Sequence, residues 1–253
     1  MARLYGYKPD PYDPRDKPAA TLLSALPEPP PRFSLRDRAG DALDQALSDC
    51  VANSTAKAVQ IALTQPGGPV AALPSRDWIY YLAGVLEGSQ RDDNGRYIRD
   101  AFTTLAHLGW PDEAVWPYGK WPEHPGGEPH RAAFDRRAQT GIAYHRVTET
   151  GQDRIDAVKR LIAAGYPLVG DLMATQAFEA QDGLTPLPAP DGFVTTNHAV
   201  CFAGYEPEGV RLINSWSESW SDDGWGFLEW RWLTFSQDLW AVEIKPAANA
   251  VQS

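Results

Sequence analysis

Apolar residues recur at helical spacing in the first half of this 253-residue chain and alternate at strand spacing in the second. Periods of 3.6 and 2 belong to different element types, so no single-class architecture satisfies both halves. Helical spacing runs through Ala52, Ala56, Val59 and Leu63, and predicts a helix over residues 50–64 with Asp49 as its cap. Gln65-Pro66-Gly67-Gly68-Pro69 stops it. Further helices are expected over residues 75–87, capped by Ser75, and over residues 97–107, closed by Gly109. Residues 110–140 read as irregular and Trp- and Pro-rich, turning helical around Ala132. Beyond them, residues 141–147, 167–173, 198–205, 210–214, 226–230 and 239–244 read as strands, with one amphipathic helix over residues 153–164. Helices followed by strands argue for an α+β chain with two lobes.

The first 34 residues differ from both halves. Pro9, Pro11, Pro14, Pro18 and Pro27 through Pro31 are too dense for a helix or a central strand. A polyproline-like strap lying along the body is expected in place of a free tail, because Tyr5, Tyr7, Tyr12 and Phe33 give it aromatic surface to bury. The resulting division is a strap or pro-like segment (1–34), a helical lobe (35–118), a strand-rich lobe (119–245) and a tail (246–253).

Composition excludes several functions. Twenty-three basic against 33 acidic residues give a formal charge of -10, the wrong sign for a nucleic-acid or polybasic membrane-surface protein. No apolar run reaches the length of a membrane span, and no apolar signal segment follows Met1. Two cysteines preclude a disulfide scaffold or a four-Cys zinc site, leave one Cys50–Cys201 bridge open, and fit a reducing, cytoplasmic setting, with signal-independent secretion as the other route. No nucleotide or phosphate motif is present, and no cofactor or metal is expected. His124 and His130, with Glu123 and Glu128, form the nearest approach to a metal set, but the three prolines and two glycines around them point to a loop.

Three residues carry chemistry by position. Cys50 falls in the first turn of a helix, where unpaired N–H groups and the dipole favour a thiolate. His198 opens an apolar strand, and Asn214 closes one. Each alone reads equally well as structural. Together with Gln45, five residues ahead of Cys50, they form a pattern: Asn197-His198-Ala199-Val200, Gly204-Tyr205, and Asn214-Ser215-Trp216 continued by Trp220, Gly224 and Trp225. The pattern resembles the papain-like cysteine peptidases of the C1 family, in which a Cys is joined by a distant His and Asn. Ile98-Arg99-Asp100, Glu113 and Trp116-Pro117-Tyr118 look like the corresponding stretch of bacterial members, and the resemblance spans residues 34–244.

The resemblance implies a two-lobed fold, a helical lobe and an antiparallel, barrel-like β-lobe, with the cleft between. It implies a thiol endopeptidase in which Cys50 attacks a peptide carbonyl, His198 shuttles the proton, Asn214 orients His198, and Gln45 with the Cys50 N–H forms the oxyanion hole. Trp216 would shield the His198–Asn214 contact; Met173, Ala174 and Asn197 would line the substrate groove. A peptide or protein is the implied partner, with the N-terminal segment a candidate for contact with the cleft as an inhibitory strap. The departures from the family are specific. The Gln-to-Cys loop is one residue shorter than usual, Ser48-Asp49 replaces the small pair before the Cys, Val51 replaces an aromatic, and Ser217 and Ser221 replace two motif glycines. They leave open a pseudoenzyme that binds a peptide or protein, or a ligase using the same acyl-enzyme.

Overall fold

The computed structural model describes residues 4–119, 129–137, 141–192 and 195–245. The strap carries β1 (Tyr7–Lys8), a one-turn helix α1 (Ala20–Leu23) and β2 (Phe33–Ser34). The turn at α1 was not expected; it occupies the longest proline-free stretch of the strap, between Pro18 and Pro27. Tyr7 is buried as expected, whereas Tyr12 is 87 % exposed and contributes no anchoring surface.

The helical part consists of α2 (Cys50–Leu63), α3 (Arg76–Glu87), the two-residue strand β3 (Arg96–Tyr97) and α4 (Ile98–Leu108). Every residue of α2 from Cys50 to Ile61 is buried. Its alanines keep it slim enough to lie between α3 and the sheet. Ser75 caps α3, its hydroxyl accepting from the Trp78 amide at 3.2 Å. Gly88 ends α3 in the left-handed conformation (φ 68°). Asp49 does not cap α2; its side chain makes no bond to the first turn, for a reason found at the site below.

The second part begins with α5 (Arg131–Asp135), capped by His130, whose Nδ1 accepts from the Ala133 amide. His124, Glu123 and Glu128 lie outside the described residues, and no group of His, Cys, Asp and Glu suited to a metal occurs among the described ones. There follow β4 (Gly141–Arg146), α6 (Gly151–Ala163), β5 (Leu168–Leu172), α7 (Gln176–Glu179), β6 (His198–Glu206), β7 (Gly209–Ile213), β8 (Trp225–Glu229) and β9 (Leu239–Lys245). The strands form one antiparallel sheet in the order β4-β9-β5-β6-β7-β8, with β2 also paired to β6. The sheet is curved by a bulge at Phe202/Gly204. It stays open: β4 and β8 stand at opposite ends, so it is not the barrel expected. Both cysteines are free and buried, so the bridge left open by the sequence is not formed. No helix among the described residues is long and apolar enough to cross a membrane.

Candidate active site

Cys50 occupies the first residue of α2 and is fully buried. His198 starts β6, and Asn214 follows the last residue of the adjacent β7. Adjacent antiparallel strands thereby present the two side chains together: His198 Nε2 lies 2.8 Å from Asn214 Oδ1. The Asn214 oxygen is fixed by a second bond, since it also accepts from the Ser215 amide at 2.8 Å. Oδ1 being held as an acceptor, His198 Nε2 is the donor to it. The Trp216 indole stacks on the His198 ring at 4.8 Å and an interplanar angle of 22°, and Phe178 packs edge-on against both rings, 5.5 Å from Trp216 and 6.4 Å from His198. The hydrogen bond lies in an apolar enclosure that strengthens it.

Gln45 is held at both ends. Its amide N–H donates to the Ser215 carbonyl at 2.9 Å, and its Oε1 accepts from the Ser215 hydroxyl at 2.6 Å. The side-chain oxygen being so committed, Nε2 faces the cleft. Ser215 was passed over in the sequence as filler between Asn214 and Trp216; the signal for it is only its place in that motif.

Asn197, Met173 and Ala174 come together beside the His. The Ala174 amide donates to Asn197 Oδ1 at 3.0 Å, and the Asn197 amide to the Leu172 carbonyl at 3.0 Å. Met173 and Ala174 are half-buried and follow Leu172, which pairs with His198 between β5 and β6.

The strap packs over these residues. Gln45 Nε2 donates to the Leu4 carbonyl at 3.0 Å. The Tyr5 ring meets the His198 ring edge-on at 5.8 Å, and its hydroxyl donates to Glu179. The Tyr7 amide reaches the Asn197 carbonyl at 3.4 Å, and the Arg96 amide donates to the Gly6 carbonyl at 2.8 Å. β1 and β3 thus pair in parallel across the cleft. The crossing is close enough to require glycine: a Cβ on Gly6 would stand 1.7 Å from the Ser48 oxygen, and one on Gly95 would stand 2.2 Å from the Gly6 oxygen.

Covering the thiol alters its chemistry. Burial pushes the Cys50 thiol up to about 12. Backbone hydrogen bonds from Ala199 and Gly6 pull the other way, and the neighbouring Asp49 adds to the rise. In this covered state Cys50 is a neutral thiol at physiological pH, the opposite of what its place at a helix N-terminus favours alone.

Asp49 was expected to cap α2. Its carboxylate turns away from the helix and accepts from the Tyr118 hydroxyl at 2.7 Å. Tyr118 is a second site neighbour the sequence reading did not single out for a role.

No protein-family profile matches the chain. Individual proteins do. It is 28 % identical over 217 residues to the uncharacterized peptidase C1-like protein L477 of Acanthamoeba polyphaga mimivirus, an alignment covering 79 % of this chain and 69 % of that protein. Its structure superposes on xylellain, a cysteine protease from Xylella fastidiosa, with a TM-score of 0.77 and 28 % identity, over 96 % of this chain and 98 % of that one. In sequence and in fold the chain is similar to papain-like C1 cysteine peptidases. The bromelain protease of Ananas comosus shares the papain-like fold at 16 % identity, with a TM-score of 0.66 over 85 % of this chain and 100 % of the other. In this papain-like chain His198, Asn214 and Trp216 are kept, while the changes fall in the loop from Gln45 to Cys50 and at Ser217 and Ser221.

Proposed function

We propose that the chain is a thiol peptidase that cleaves internal peptide bonds through a thioester acyl-enzyme. The observation that carries the reading is the His198–Asn214 hydrogen bond beneath Trp216, set beside a cysteine at the head of α2. In this reading the Cys50 sulfur adds to the peptide carbonyl while His198 takes the thiol proton. The imidazolium then protonates the departing amine, and a water activated by the same ring releases the acid. The anionic oxygen of the intermediate accepts from the Gln45 amide and the Cys50 N–H. One such donor is worth about 100- to 1,000-fold in rate. Asn214 holds the ring in the needed tautomer. The groove takes an extended segment past the thiol from Leu4 to Lys8, which suits internal bonds of a peptide or protein.

Residues 4–8 act in this reading as an inhibitory strap. The Leu4 carbonyl uses the Gln45 amide that an oxyanion would need, and Tyr5 covers His198. The same burial of Cys50 favours a second reading, a peptide-binding pseudoenzyme whose thiol never ionises.

One experiment separates the two: intact mass after treatment with a peptidyl epoxide, on the wild type, on Cys50→Ala and on a chain lacking residues 1–8. A single adduct on the wild type or the shortened chain, absent from Cys50→Ala and accompanied by peptide hydrolysis, is the expected result. A folded shortened chain that takes no adduct leaves the pseudoenzyme.

A further inference from the structure

The Gln45–Cys50 loop connects the two oxyanion donors, and it is the part of the site that departs most from the family. A donor set of this kind works only if held within about 0.5 Å of its productive geometry. A shortened loop without the usual small residues must find that rigidity elsewhere, and the bonds that reach the loop from outside identify where.

The Tyr118 hydroxyl lies between the loop's two ends. It accepts from the Ala46 amide at 2.7 Å, one residue after Gln45, and donates to Asp49 Oδ2 at 2.7 Å, one residue before Cys50. One oxygen thus spans the loop. The ring is pinned in turn: the Arg76 guanidinium lies 3.6 Å from its centroid. Arg76 is itself fixed by a two-pronged pair with Glu113 at 2.8 and 2.7 Å, by Asn53 Oδ1 at 2.9 Å on α2, and by the Asp44 carbonyl at 3.3 Å just before Gln45. A third tie, from the Ser48 amide to Asp93 at 2.9 Å, holds the middle of the loop.

We propose that Tyr118, seated by Arg76 and answered by Asp49, is the positioning residue that holds the Gln45 and Cys50 donors in register. The assignment rests on the peptidase reading of those two residues. It also explains why Asp49 forgoes the cap of α2: its carboxylate is the far anchor of the tie. Burial pushes that carboxyl up to about 7, while the Tyr118 hydrogen bond and the Arg76 charge pull it down and Asp77 and Asp93 push it up again; the Tyr118 hydroxyl donates to a nearly fully buried group.

The test is steady-state hydrolysis of a fluorogenic peptide by the full-length wild type, Tyr118→Phe, Asp49→Ala and Asp49→Asn, alongside the alkylation rate of Cys50 by iodoacetamide. Alkylation needs no oxyanion hole, and so reports the thiol alone. Tyr118→Phe is expected to lower kcat tenfold or more with KM within twofold and alkylation within threefold of wild type. Asp49→Asn, which keeps an oxygen for the Tyr118 hydroxyl, recovers most of the kcat that Asp49→Ala loses. A folded Tyr118→Phe with wild-type kcat overturns the proposal; so does an equal loss of kcat in Asp49→Asn and Asp49→Ala. Should Tyr118→Phe fail to fold, the Asp49 pair decides alone. Peptide turnover by neither the wild type nor a folded chain lacking residues 1–8 overturns the peptidase reading itself, a result distinct from an active protein with an indifferent Tyr118.

Discussion

Ser217 and Ser221 stand where the family pattern carries glycine, and both keep the backbone a glycine would adopt, with φ of 65° and 57°. Side chains at such angles are strained by about 1 to 2 kcal/mol. Ser217 recovers part of this, its hydroxyl bonding Ser219 at 2.7 Å, whereas the Ser221 hydroxyl is buried with no partner among the described residues. Ser221→Gly is therefore expected to stabilise the protein by about 1 kcal/mol. Calorimetry should show the melting temperature raised by about 2–4 °C, with a smaller gain for Ser217→Gly; a lower melting temperature for Ser221→Gly would contradict the strain argument. At this scale the sequence was readable where chemistry is local. Ser75 as a cap followed from position, and the glycine replacements from the resemblance to the family. Asp49 did not, because the bond that redirects it comes from Tyr118, far along the chain.

At the scale of elements, the strands and helices of the body lie within a residue or two of the expected spans; β6 and β9, for example, run to Glu206 and Lys245. Their buried faces impose a period, and a period is visible in a sequence. The strap has none. β1 is two residues long and is held by the Asn197 carbonyl, the Arg96 amide and the Gln45 side chain, all remote. Its clearest trace is Gly6, whose missing side chain admits the Ser48 carbonyl. Gly6→Ala would therefore lift the strap, because backbone atoms on both sides leave no room for a methyl group. Re-exposing Cys50 to water and to the α2 N-terminus should lower its pKa from about 12. The expected outcome is alkylation at pH 7.5 at least tenfold faster than wild type, with the midpoint of its pH profile moved down; an unchanged profile would mean that the strap does not set the reactivity of the thiol.

For the molecule as a whole, four carboxyls are displaced in the same direction, Asp171 among them through its burial. Burial pushes Asp10 up to about 7, with Asp238 adding to the rise, and it pushes Asp49 to about 7 and Asp100 to about 6. Each holds its proton more tightly folded than unfolded. The stability they contribute is full below the ordinary carboxylate value near 3.8 and is lost as pH rises through about 6 to 7. Asp13 and Asp182, both held low by hydrogen bonds, act oppositely and only below the ordinary value. Maximum stability is thus expected near pH 4–5. Thermal melts from pH 4 to 8 should show the melting temperature falling between pH 5 and 7.5, with a shallower fall in Asp10→Asn; a rise over that interval would refute the assignment.

Asp10 also joins the strap to the body, through the Trp240 indole N–H at 2.8 Å and the Arg99 amide at 3.2 Å, and its own amide donates to Asp238 at 2.7 Å. In its proposed inhibitory role the segment is thereby a competitor tethered to its own target, present at an effective concentration on the millimolar scale whatever the dilution of the protein. Diluting the enzyme cannot free the cleft. A peptide must out-compete the tether, so occupancy by the strap registers in the apparent KM and leaves kcat at saturation untouched.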